Sequence, residues 1–116
     1  MATADDARRL ALELPDTHEK PFFGTPGFYV RTKHFARLKD RGETLVVRCD
    51  MGERELLLGA EPETFFLTPH YADYHYVLVR LAAIDEAELR EVLTDSWLMA
   101  APKRLAAAFL EEQKAG

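Results

Sequence analysis

Four histidines, one cysteine, one serine and a cluster of cations are the side chains of this 116-residue chain that chemistry could use. His70-Tyr71-Ala72-Asp73-Tyr74-His75 sets two imidazoles and a carboxylate within six positions, which are residue types that zinc takes. A zinc site needs firmer spacing and a second ligand pair, and the chain offers neither, so no metal and no cofactor is expected. Cys49 ends an apolar run beside Arg48 and Asp50, the setting of a small buried hydrophobe rather than an activated thiolate. Ser96 lies in a helical stretch without the strained turn that exposes an acyl-transfer nucleophile. The carboxylate pairs Glu53/Glu55, Glu61/Glu63 and Glu111/Glu112 sit in charged runs that read as solvated faces. Gly24-Thr25-Pro26-Gly27 reads as a turn, because no Lys-Ser or Lys-Thr follows it and a strand, not a helix, comes next. With no nucleophile–base pair and no metal set, the expectation is a protein that binds rather than one that catalyses.

Two segments remain as candidate binding elements. Between residues 31 and 48 stand six cations against Asp40 and Glu43, in a chain whose net charge is −5. In extended backbone, alternation projects Arg31, Lys33, Arg37 and Lys39 to one side along with Phe35, at about 7 Å per two residues, and Arg48 joins them from the next strand. That stripe reads either as a phosphate-tracking surface or as a sheet edge kept from aggregating by its charges. The acidic total weighs against strong non-specific nucleic-acid binding. The segment 66–76, with His70, Tyr71, Tyr74, His75 and Tyr76, reads either as core packing or as an adaptable surface for a protein partner or small ligand.

The elements that must hold these segments follow from periodicity. Residues 3–14 form a helix capped by Thr3, with Ala7, Leu10, Ala11 and Leu14 on one stripe, and Pro15 ends it. Four short runs (21–24, 27–30, 34–38 and 44–49) are rich in aromatic and β-branched residues and joined by short turns, a meander of antiparallel strands. Residues 51–61 read as a helix capped by Asp50, 62–74 as irregular and 74–81 as a fifth strand. From Asp85 a helix carries Leu89, Val92, Leu93 and Trp97 on one stripe; Pro102 interrupts it, and a last helix is lined by Leu105, Ala108 and Phe109.

Size and composition agree with a single domain over 1–116: 47% of residues are hydrophobic, 30% charged, and twelve are aromatic. One cysteine excludes a disulfide scaffold and fits a reducing, cytoplasmic compartment. The longest uncharged apolar run is far below the ~18 residues of a membrane span, and Asp5 and Asp6 occupy the place where a secretory leader is positive. A monomer is expected.

The order of these segments resembles the MmcQ/YjbR family. The resemblance is carried by Lys20-Pro21-Phe22-Phe23-Gly24, Phe28-Tyr29-Val30-Arg31, Lys33-His34-Phe35-Ala36, and the Leu45-Val46-Val47-Arg48 strand. It continues in Thr68-Pro69-His70-Tyr71 leading to His75-Tyr76-Val77, and in Asp95-Ser96-Trp97 with Ala101-Pro102-Lys103-Arg104-Leu105. Thr32, Trp97 and Tyr76 stand where the family usually has Gly, Tyr and Trp. The resemblance implies an α+β, CyaY-like (double-wing) fold: a twisted antiparallel sheet of about five strands with helices packed on one side. It further implies a DNA-binding or transcription-associated module, with Arg31, Lys33, Arg37, Lys39 and Arg48 on phosphates. Iron handling, which the CyaY-like label brings to mind, finds a poor ridge here, because Arg8 and Arg9 interleave with the acids of the first helix.

Overall fold

The computed structural model describes residues 1–115; Gly116, the last position of the expected domain, lies outside them. Helix α1 (Ala4–Leu12) starts with a reciprocal cap, Thr3 Oγ1 accepting from the Asp6 amide and Asp6 accepting from the Thr3 amide, and buries Ala7, Leu10 and Ala11. Strands β1 (Thr17–Phe22), β2 (Thr25–Val30), β3 (Lys33–Lys39) and β4 (Thr44–Arg48) form the expected meander. Helix α2 (Met51–Ala60) is capped by Asp50, which accepts from the Gly52 and Glu53 amides. Strands β5 (Phe65–Phe66) and β6 (Tyr76–Arg80) precede α3 (Glu86–Ala100) and α4 (Lys103–Ala115).

The sheet order is β1-β2-β3-β4-β6-β5, every neighbour antiparallel. Six strands replace the expected five. The addition, β5, has two residues and so no alternation to read; its pairing with Val79 and Leu78 of β6 creates it. Strand β1 begins earlier than expected because Thr17–Lys20 is polar, the composition of a solvent-facing edge. The expected turn over 24–27 is shorter: Phe23 (φ 50°) and Gly24 (φ 80°) alone connect Phe22 to Thr25, the doubly left-handed geometry that matches strand twist in a two-residue hairpin.

Alternation in β4 and β6 divides the sheet into two faces. Leu45, Val47, Val77 and Val79 face the helices, where Phe28, Phe35, Leu89, Leu93 and the fully buried Trp97 complete the main core. All four helices contribute to that side, with Leu57, Leu58, Leu105 and Phe109 packed against it. Trp97 Nε1 donates to Pro15 O at 3.0 Å and its ring lies 4.9 Å from Phe109, which ties the exit of α1 to α3 and α4. Among the described residues the opposite face carries no α-helix. Val46 and Leu78 there are covered by Tyr71, Phe66, Leu67 and Tyr76 from the connection into β6.

Candidate ligand cleft on the open face of the sheet

On the helix-free face the side chains form a cleft of about 420 Å³. Its floor is His34 and Arg37 of β3 with Val46 of β4. One lip is the β1–β2 hairpin tip, where Phe22 and the 88% exposed Phe23 stand; the other is His70, Tyr71, Tyr74 and Tyr76. Gly27 positions the first lip: a Cβ there would meet Phe22 Cβ at 2.9 Å and Lys20 O at 3.0 Å. The second lip is held by Arg54 of α2, a buried guanidinium. Its Nη1 reaches the carbonyls of Tyr71 (3.3 Å), Tyr74 (2.8 Å) and Tyr76 (3.2 Å), and its Nη2 that of Ala72 (3.0 Å). Its two terminal nitrogens thus meet the acceptors that a buried charge requires, while its Nε is enclosed without a partner.

The cleft is aromatic and cationic. Phe22 stacks on His34 at 4.3 Å between centroids, Tyr76 approaches His34 at 5.9 Å and Tyr71 at 5.9 Å, and the Arg37 guanidinium lies 5.3 Å from the Phe22 centroid. Arg37 Nη1 donates to the Tyr71 hydroxyl at 2.9 Å; its Nε is enclosed without a partner, and so is His34 Nε2. His34 Nδ1 is 3.1 Å from the Tyr76 hydroxyl. Burial, together with the Arg48 and Arg37 charges, pushes the His34 imidazole down to about 4, so it is neutral at physiological pH. No carboxylate lines the cleft, and no ion pair engages Arg37, among the described residues.

The YjbR family model matches residues 12–99, a span that includes the floor and both lips. The chain belongs to the YjbR family. Uncharacterized proteins of Mycobacterium bovis (Mb2600) and Mycobacterium tuberculosis (Rv2570) are each 38% identical to it over 128 aligned residues, covering 95% of this chain and 97% of the relative. A crystal structure of the Deinococcus radiodurans protein DR2400, of family-model domain DUF419, superposes with a TM-score of 0.72 at 29% identity, over 85% of this chain and 78% of that one. The α+β architecture, an open antiparallel sheet with helices on one side, is thus the YjbR fold.

Within this YjbR domain the expected basic stripe is divided. Phe28 pairs with Ala36 and Tyr29 with His34, so Phe35 is an extra residue, a bulge that breaks alternation in β3. Phe35 is fully buried among the helices, not outward with the cations. Arg37 and Lys39 face the open side with His34, whereas Lys33 and Arg31 line a shallow depression with Ala100 and Pro102, near the junction of α3 and α4. Arg31 pairs with Asp16 at 3.1 Å. Arg48 donates to His34 O at 3.1 and 2.8 Å and lies 5.6 Å from the Tyr76 centroid. The one-sided stripe is therefore corrected: its five cations occupy two faces, and three of them already hold protein acceptors. Of the aromatic segment, His70, Tyr71, Tyr74 and Tyr76 line the cleft; His75 is exposed outside it, and its carbonyl accepts from the Cys49 amide.

The remaining reactive groups are committed elsewhere. Burial, with Glu53 and Asp50 adding to it, pushes the Cys49 thiol up to about 11. Ser96 donates to Arg48 O at 2.6 Å and Val92 O at 3.0 Å, joining α3 to β4. Arg8 and Arg9 bridge to Asp5, Glu19, Asp6, Glu13 and Glu86, which neutralises the acids of α1. Sequence reasoning did not single out Phe22, Phe23, His34 or Arg54 as site residues. The first three appear in it only as family-like motifs; Arg54 is hidden among Glu53, Glu55 and a continuous leucine run that fixes no inner face.

Proposed function

We propose that this YjbR domain is a binding module for a small molecule, with the open-face cleft as its site. The observation that carries the reading is the pairing of Arg37, a guanidinium that has one neutral hydroxyl and no carboxylate as partner, with a neutral half-buried imidazole, His34, inside a ring of aromatic side chains. Small-ligand sites are mostly apolar concavities of about 300–1,000 Å³ with a few convergent polar groups. Binding rather than turnover is favoured because the thiol of Cys49 is held protonated and the hydroxyl of Ser96 is engaged by two carbonyls. The test is amide-resolved NMR titration with a set of small aromatic compounds. Shifts should concentrate on the amides of residues 22–23, 34–37, 46 and 70–76; shifts spread over both faces, or none, refute it.

DNA binding is the second reading, and the distribution of charge favours it less. The cations are divided between two faces, Lys33 and Arg31 on one and Arg37 and Lys39 on the other; Arg31 is paired with Asp16 and Arg48 is held by the His34 carbonyl. Fluorescence anisotropy of labelled single- and double-stranded DNA discriminates the two. Affinity falling steeply with salt and abolished by Lys33→Glu with Arg37→Glu supports the nucleic-acid reading; salt-insensitive or absent binding leaves the small-molecule one.

A further inference from the structure

We infer that the cleft selects a planar aromatic anion, in the simplest case a carboxylate carried on a ring or fused ring pair; this rests on the small-molecule reading above. The arginines on and beside the open face differ in how their donors are satisfied. Arg48 has a carbonyl accepting two of its nitrogens, Arg54 has four carbonyls, and Arg80 donates to Pro62 O and Glu63 O, each at 3.2 Å. Arg37 has one neutral hydroxyl. It is the least satisfied of the four, and it is the one in the cleft floor.

A guanidinium presents five donors in a planar fork matched to a carboxylate, and Arg37 has spent one of them on Tyr71. The largely apolar walls of Phe22, Tyr71 and Tyr76 lower the polarity of the surroundings, which strengthens such a pair. The neighbouring imidazole is neutral at physiological pH and adds no charge of its own beside the guanidinium. Its unpartnered Nε2 supplies one further hydrogen-bonding position beside the guanidinium.

The rest of the ligand is set by the walls. Phe22 lies against both His34 and Arg37, so it screens their enclosed nitrogens from water. Phe22 ends β1 at the hairpin turn, so a ligand that reaches those nitrogens displaces this one ring. A flat ring then stacks where flat rings already stack, between the hairpin lip and the tyrosines. An aliphatic acid satisfies the charge and forfeits the stacking.

Three probes separate the parts of the inference in the full chain: 2-naphthoate, its neutral counterpart 2-naphthamide, and cyclohexanecarboxylate, each titrated by amide-resolved NMR. The expected result is naphthoate binding at least tenfold tighter than either other probe, with that advantage over the amide falling to near one in Arg37→Gln. Melting curves of the variant establish that it is folded, and the wild-type comparison stands even if it is not. Equal affinity for naphthoate and naphthamide overturns the anion assignment while leaving the cleft as a binding site. Equal affinity for naphthoate and cyclohexanecarboxylate overturns the aromatic part. No shift at the cleft with any probe overturns the small-molecule reading itself.

Discussion

Replacing Arg54 by methionine tests whether one guanidinium from α2 builds the second lip. Methionine keeps much of the volume and the unbranched stem, so the change is chiefly the loss of two donor nitrogens serving four carbonyls. Two of those carbonyls keep a backbone donor: Tyr71 O accepts from the Tyr74 amide and Tyr74 O from the Tyr76 amide. The loss is therefore smaller than four independent bonds. Counting each donor nitrogen as one charged hydrogen bond, worth about 1.5–3 kcal/mol, the cost is about 3–6 kcal/mol. Against a domain stability of about 5–15 kcal/mol, that is a large fraction, and it corresponds to roughly 12–25 °C in melting temperature. Circular dichroism melts measure the global effect, and amide exchange at residues 71–76 measures the local one. Arg54→Lys, which keeps a charge but has no planar fork, should recover less than half of the loss. A methionine variant melting within 2 °C of wild type, with unchanged exchange at 71–76, refutes the clamp.

Gly27→Ala forces a Cβ against Phe22 Cβ and the Lys20 carbonyl, and backbone cannot yield as a side-chain tip does; chemical denaturation should show a loss of about 1–3 kcal/mol, with amide shifts at 20–23. His34 is held near 4 when folded against 6.5 when unfolded, so the unfolded chain takes up the proton first. Its contribution is fully present above about 6.5 and is lost as pH falls toward 4, an effect of ~3 kcal/mol at most. Glu88, pushed up to about 7 by burial and by Glu61, acts in the opposite sense over the upper part of that range. The readout is thus a difference: the melting temperature of His34→Gln relative to wild type should rise between pH 7 and 4.5, and a flat difference contradicts the assignment. Trp97→Phe keeps most of the buried ring and drops the Nε1 bond to Pro15 O; it should cost about 1–3 kcal/mol, seen in denaturant midpoints.

Much of the architecture was legible because its signals are local. Thr3 and Asp50 were readable as caps, since a cap is a residue type placed just ahead of a helical stretch, whereas Asp85, read as the first residue of its helix, is the cap of one that begins at Glu86. Four meander strands were readable because Phe28-Tyr29-Val30 and Leu45-Val46-Val47 are unambiguous β sequences between turns. Strand β5 was not, because Phe65–Phe66 becomes a strand only by pairing with Leu78 and Val79. At the site, the sequence directed attention to Tyr71, Tyr74, Tyr76 and Arg37, but placed them in two unrelated segments. Their meeting depends on a register between distant strands, and the bulge at Phe35 overturned the alternation on which the stripe was built. Arg54 contacts residues 17 to 22 positions further on, through backbone carbonyls that carry no residue-type signal.

That bulge also constrains which lengths of chain the domain tolerates. Adding or removing one residue between the β2–β3 connection and Leu38 exchanges inside and outside for the following positions. Arg37 and Lys39 would then point at Trp97's side of the sheet, and Leu38 at water. Insertions in homologous domains should accordingly collect at places such as the Asp40–Gly42 bend or the 61–64 connection, with the count through β3 held constant. A sequence comparison of gap positions among such domains is enough to check it.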